Sequence, residues 1–356
     1  MKKLIYIISA IFFCAPCIGT TKGSLPVDTN IEAEKDVKKV KMILDLDTGI
    51  DDALALAYAL ADPKIELIGI VTSYGNVTTE LSAINSLNIL NLLHKKEIPV
   101  YLGADKAMDK TEEFVVFAGS KRIHGANGVG DVEIAKSPRP VEKQSGVDFM
   151  IESAKKYGKD LYIVAVGPTT NLTEAIRKEP NLKDMVGKFV IMGGALIVKG
   201  NVSPIAEANI RQDPAAANEL FRSGTPLTMV GLDVTLRTLL TKKETQVWRD
   251  LGTTSGKIFA DMVDFYIEAY ISGTHKLQGC GLHDPLAVAV AVHPELVKTL
   301  NLHMQVGVTE KDWARTVAIT EKMNDPNPNV AVCVDVEVEQ FLNLFMDNLT
   351  QLFKAN

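Results

Sequence analysis

Cysteine is scarce in this chain. Four occur in 356 residues, and two of them, Cys14 and Cys17, sit inside an apolar run at the N-terminus. Only Cys280 and Cys333 are left for the body of the protein. Two such residues make neither a disulfide framework nor a metal-ligand spacing, so they read as buried thiols. A basic surplus is also missing: the net charge is −6, which excludes a general nucleic-acid binder with its basic face. After the first twenty residues no apolar run is long enough to span a bilayer. Internal repeats and low-complexity segments are absent too. What remains is an ordinary globular composition, 46% hydrophobic, with enough chain to bury a large core.

The N-terminus reads as something other than fold. A positive MKK precedes the apolar stretch LIYIISAIFFCAPCIG, which is short and broken by Pro16. That pattern predicts a signal peptide or N-terminal anchor over residues 1–23, and hence export to the periplasm, cell surface or medium. FFC and APC match the context of a lipidation site poorly, which makes attachment at Cys14 or Cys17 the lesser alternative. Residues 24–38 are polar and read as a linker. Any membrane contact would run through the N-terminus alone.

From residue 39 the chain alternates. VKMILDLD, IELIGIVTSYG, IPVYLG, DLYIVAVGP, KFVIMGG and PLTMVGLDV read as strands. Between and beyond them, DALALAYALAD, ELSAINSLNILNLLHKK, VDFMIESAKKYG, DPAAANELFRSG and GKIFADMVDFYIEAYISG read as helices. Continuous apolar strands separated by helices predict an α/β fold, with a mostly parallel, Rossmann-like open sheet covered by helices on both faces. One domain spanning 39–356 is expected, with its ligand site at the carboxyl ends of the strands.

One such end carries DLDTGIDDA, which places Asp45, Asp47, Asp51 and Asp52 within eight residues. The helix dipole explains one or two carboxylates at a helix start, not four beside a buried strand. A hard divalent cation with oxygen ligands explains them better: calcium suits carboxylates and backbone carbonyls, and magnesium is the alternative.

This segment resembles the DxDxGxDDxxA signature of the nucleoside hydrolases, which bind calcium there and cleave the N-glycosidic bond of ribonucleosides. Further pieces similar to that family follow in order. VTSYGNV supplies Asn76, RIHGANGVG supplies His124, and AVGPTTNL supplies the Val166 carbonyl. MGGALIVKGNVSPIAEANIRQDPAAA supplies Met192, Asn201, Glu207 and Asn209; LHDPLAVA supplies His283 and Asp284. Thr48 stands where proline is common in the family, and Ala208 where some members carry an aromatic residue beside the sugar.

The resemblance implies that Asp47, Asp52, Asp284 and the Val166 carbonyl hold Ca²⁺, with Asp47 as general base toward a water on the ion. It implies Asp51, Asn76, Asn201, Glu207 and Asn209 as ribose contacts, Met192 as a neighbour of the sugar, and Asp45 as a support. His283, and less directly His124, become the acids that protonate the leaving base. Tyr266, Tyr270 and His275, at helical spacing of four and five in the helix FYIEAYISGTHK, are weaker candidates for contacts to the base. Uridine and inosine are the expected substrates, ribose derivatives should beat their 2′-deoxy counterparts, and a dimer or tetramer is expected. Two rival classes account for part of the pattern. A haloacid dehalogenase-type phosphatase shares the DLDT start but gives the EAN and HDP pieces no role. A secreted nucleoside- or sugar-binding protein would use the ribose contacts without turnover.

Overall fold

Val40–Leu46 forms the strand β1, buried from Met42 onward, and it pairs in parallel with neighbours on both sides. The partners are β2 (Ile65–Thr72) and β4 (Leu161–Ala165). These elements belong to a computed structural model that describes residues 38–273 and 276–356. The expected leader at 1–23, all but the last residue of the 24–38 linker, and His275 lie outside the described residues.

The remaining strands of the main sheet are β3 (Val100–Leu102), β5 (Lys188–Met192), β6 (Leu227–Val230), β7 (Val297–Leu302) and β8 (Val330–Val336). Their spatial order is β3-β2-β1-β4-β5-β6-β8-β7. Every pairing is parallel except that of β7 with β8, which closes one edge antiparallel. The chain winds outward from β1 to β3 and then starts again at β4 on the other side. That reversal opens a crevice beyond the carboxyl ends of β1 and β4, where α/β sheets bind ligands. Lys38–Asn356 forms one compact unit.

Helices cover both faces of the sheet, as the alternation predicts, and each face has its own apolar core. The helix α1 (Ile50–Ala61) is buried along nearly its whole length. Its alternating Ala and Leu residues give a surface apolar all round, as a helix packed on every side requires. It lies against the equally apolar helix His283–Val292. Both helices begin at the carboxyl edge of the sheet, with Asp51 and Asp52 in one first turn and Asp284 in the other. The helix dipoles favour negative charge at these places.

Two sequence readings change. PLTMVGLDV is not one strand: β6 stops at Val230, and Leu232–Thr235 turns into a short helix after Gly231. The turn is fixed by the Leu232 N–H, which donates to the Gly194 carbonyl at 2.9 Å rather than continuing the ladder. IELIGIVTSYG likewise ends as a strand at Thr72, and the rest becomes a loop over the site.

Candidate active site

The floor of the crevice is a knot of carboxylates. Asp45, next to last in β1, lies side by side with Ala165 of β4 and accepts one hydrogen bond, from Asn171 Nδ2 at 2.8 Å. The Asp52 carboxylate folds back over the start of α1, accepting from the Asp47 N–H at 3.1 Å and the Gly49 N–H at 2.8 Å. Asn76 ties the next loop to the same point: its backbone N–H donates to Asp47 Oδ2 at 2.6 Å and its side chain to Asp52 Oδ2 at 3.1 Å. Gly75 must be glycine for this approach. Its φ is 150°, and a Cβ there would stand 2.1 Å from Asp47 Oδ2. Thr48 also has a task that proline could not perform, since its hydroxyl meets Ser86 Oγ at 2.8 Å and accepts from Ser82 at 3.0 Å.

Ligand oxygens of Asp51, Asp52 and Asp284 all lie within 4.8 Å of one another, and all three residues are buried. Asp47 adjoins this triad through its bond to Asp52. Burial followed by mutual repulsion pushes Asp47 and Asp284 well above the usual carboxylate range. Burial raises Asp51 to about 6, and burial with the Asp51 charge beside it raises Asp52 to about 6. Asp45, buried with a single donor, is pushed up to about 8. Moreover, Asp45 Oδ2, Asp47 Oδ1 and Asp51 Oδ1 are buried acceptors without a hydrogen-bond partner among the described residues. Orphaned, crowded carboxylate oxygens are costly unless a cation gathers them. The donor set fits a hard divalent ion. The cluster could therefore bind a metal.

Above the floor is a cavity of about 490 Å³, within the ~300–1,000 Å³ range of small-molecule sites. Asp51, Asn76, His124, Val166, Met192 and Asp284 line it, together with Asn201, Glu207, Asn209, Tyr266, Tyr270 and His283. Residues from six separate motifs thus meet in one space.

Its walls are held by the residues themselves. Asn209 Nδ2 donates to the Val166 carbonyl at 2.6 Å and to the Met192 carbonyl at 3.1 Å, joining the ends of β4 and β5. Glu207 caps the short helix Ala208–Gln212, accepting from the Asn209 and Ile210 N–H groups at 2.8 and 3.0 Å, and from Gly194 N–H at 3.0 Å. Burial raises its carboxyl, and these backbone donors work against that. Asn201 Oδ1 accepts from the Ala208 N–H at 2.9 Å.

The opposite wall is a hydrogen-bonded chain. Tyr266 donates to Asp51 Oδ2 at 3.1 Å, the Tyr266 and Tyr270 hydroxyls lie 3.4 Å apart, and Tyr270 meets His283 Nε2 at 2.5 Å. His283 Nδ1 meets Thr235 Oγ1 at 2.7 Å. The spacing of four placed both tyrosines on one face of the helix Thr254–Ser272, as their sequence positions suggest. The other histidine differs. His124 Nδ1 accepts from the Ile50 N–H at 3.2 Å, and burial lowers its ring to about 4. It is a neutral imidazole at pH 7, with its proton on Nε2.

Two participants were not singled out by sequence: Thr235, outside the motifs, holds His283, and Asn171, inside AVGPTTNL, holds Asp45. The mouth is lined by Phe117, Arg122 and Arg211.

Comparisons with known proteins agree with this geometry. The helix-and-strand body resembles solved nucleoside hydrolases throughout: a purine-preferring ribonucleoside hydrolase from Gardnerella vaginalis is 55% identical, with a TM-score of 0.87 over 89% of this chain and all of that one. The plant nucleoside hydrolase PpNRh1 is 31% identical, with a TM-score of 0.81 over 87% of this chain and 99% of that one. Among curated proteins, the pyrimidine-specific ribonucleoside hydrolase RihA of Shigella boydii serotype 4 (strain Sb227) is 33% identical over 309 residues, 86% of this chain and 97% of that protein. Residues 42–343, from the first strand into the last helix, match the inosine-uridine preferring nucleoside hydrolase family. The chain belongs to that family.

Proposed function

We propose that the protein hydrolyses the N-glycosidic bond of ribonucleosides, releasing free base and ribose, with Ca²⁺ held by Asp47, Asp52, Asp284 and the Val166 carbonyl. The observation that carries this reading is the cavity itself, with a cation-ready carboxylate floor on one side and a tyrosine–histidine chain on the other. When bound, the ion supplies a positive centre that orients ribose hydroxyls and makes a nearby water easier to deprotonate.

The remaining chemistry belongs to side chains. Asp47 is fixed through Oδ2 and keeps Oδ1 open, so it can take a proton from the attacking water. Asp51, anchored by Tyr266, and Asn76, Asn201, Glu207 and Asn209 present polar groups to the ribose. As water adds to the anomeric carbon and the C–N bond breaks, the base leaves with its electron pair and needs a proton. His283, Tyr270, Tyr266 and Asp51 form one hydrogen-bonded chain along this wall, a path by which a proton can reach the leaving base. Neutral His124 fits a hydrogen-bond donor rather than an acid.

The 55% identity to a purine-preferring enzyme, against 33% to a pyrimidine-specific one, supports inosine over uridine as the better substrate. The phosphatase alternative is not favoured, because no lysine is among the residues lining the cavity. Export, and assembly as a dimer or tetramer, belong to the same proposal; the apolar leader-type sequence at 1–23 and the family resemblance support them. Among the described residues no helix is long and apolar enough to cross a membrane.

A nucleoside panel assayed with added calcium and again with chelator tests the reading. Expected are free base and ribose from inosine and uridine, abolished by chelator and restored by calcium. Tight binding of nucleosides with no base released would contradict it and favour a binding protein.

A further inference from the structure

Two positive side chains at the cavity mouth have no part in the reaction just described. Arg122 is exposed on the helix Ala118–His124, two residues before His124. Arg211 is half-buried, two residues after Asn209, with its guanidinium stacked over the Phe117 ring at 4.9 Å from the centroid. Both line the same space as Asp51, Glu207 and Asp284.

Their lack of partners is unusual for this chain. Of its eight arginines, Arg139, Arg177, Arg237 and Arg249 each meet a carboxylate directly. Arg222 bonds Gln305, and Arg315 lies close enough to Asp312 to lower that carboxyl. Among the described residues no ion pair engages Arg122 or Arg211, in a chain whose acidic groups outnumber its basic ones by 44 to 38. Nor does the floor supply a partner: among the described residues no ion pair joins either arginine to Asp51, Glu207 or Asp284, and a bound dication would offset two of the charges there. Stacking on Phe117 occupies the face of the Arg211 guanidinium and leaves its in-plane N–H donors for an acceptor. A guanidinium presents those donors as a fork that matches a phosphate or a carboxylate.

We infer that the mouth is an anion subsite, and that the protein takes ribonucleosides carrying an anionic group in addition to neutral ones. The anion is either a phosphate on the 5′ carbon or a carboxylate on the base. The inference rests on the hydrolase reading above, and the reaction is the same: water oxygen joins the anomeric carbon, the C–N bond breaks, and the base leaves protonated.

The test compares kcat/KM for four substrates: inosine, inosine 5′-monophosphate, uridine and orotidine, the last a uridine with a base carboxylate. It uses the calcium-loaded full chain, its Arg122→Gln and Arg211→Gln variants, and the double variant. Expected is that at least one anionic substrate matches or exceeds its neutral parent. Each substitution then lowers that anionic substrate roughly tenfold, the size of one charge-assisted hydrogen bond at a half-open site, and leaves the parent within about twofold. Raising the salt concentration should erode the anionic advantage in the wild type only. Preference for the monophosphate places the anion at the sugar end; preference for orotidine places it at the base. If both anionic compounds are cleaved more than about a hundredfold more slowly than their parents and neither competes with inosine, the subsite does not exist. If the variants lower neutral and anionic substrates equally, it is equally refuted. Failure of inosine and uridine themselves would overturn the hydrolase reading first, and is told apart by that control.

Discussion

The two ends of helix α1 hold the same residue type in opposite conditions. At the C-terminal end Asp62 is buried and fully satisfied: it accepts from the Tyr58 hydroxyl at 2.8 Å, the Lys64 N–H at 2.9 Å and His293 Nε2 at 2.8 Å. Burial alone would raise its carboxyl, but the His293, Lys64 and Tyr58 bonds outweigh that and hold it below the usual range. At the N-terminal end Asp47, Asp51 and Asp52 are buried more deeply than Asp62, all are raised, and two keep an unpartnered oxygen. One end is finished as protein. The other keeps open carboxylate oxygens that could gather a cation. The helix therefore separates a structural carboxylate from a functional set within sixteen residues, and the comparison can be broken in several ways.

The largest effect should come from Asp47→Asn. Loss of a general base costs ~10²–10⁴ in rate, so kcat for inosine should fall about a thousandfold while the melting temperature barely moves, read by base release and thermal denaturation. The mirror experiment is His293→Ala, which takes one of three donors from the buried Asp62. Losing a hydrogen bond to a charged group costs ~1.5–3 kcal/mol; denaturant titration should show that loss, with kcat unchanged for the protein that remains folded.

The two ends should also respond to pH with opposite signs. A carboxyl raised by folding contributes stability below its ordinary value near ~4, and that contribution is lost as pH rises through the folded value. Calcium-free protein should therefore lose stability as pH rises through about 6, where Asp51 and Asp52 ionise, and on toward about 8 for Asp45. Calcium should cancel that slope. Asp62 works the other way: its contribution is present above ~4 and fades as the solution becomes more acid. Melting curves from pH 2 to 8, with chelator and with calcium, check both. The smallest effect is expected from Tyr270→Phe, which removes one hydroxyl from the chain to His283. A single hydrogen bond of ~1 kcal/mol predicts a fall in kcat of up to about tenfold, with KM nearly constant.

Much of this contrast was legible in the sequence, for a physical reason. Metal and sugar sites need particular side chains at strand ends and helix starts: DLDTGIDDA and GPTTNL come at the ends of strands, and EAN and HDP open helices. Asp62 showed nothing, because its partner His293 is far away in sequence and only the packing of α1 on the helix His283–Val292 brings them together. Thr235 was hidden for a similar reason. It directly follows an apolar run that reads as strand, and only the break at Gly231 turns its hydroxyl toward His283. The central parallel strands were readable because they are buried on both faces. By contrast β7 is exposed along its middle and has no apolar continuity to mark it. Tyr266 and Tyr270 were found as a helical pair, but their connection to Asp51 required the third dimension.

The central claim is that a dication completes the acidic end of α1, and proton release on binding tests it most directly. Calorimetric titration of calcium into metal-free protein at pH 6, repeated in buffers of different ionisation enthalpy, counts the protons displaced. The account predicts saturable binding at one site, with release of protons that disappears in Asp52→Asn. Binding with no proton displaced, or no binding at all, would contradict it.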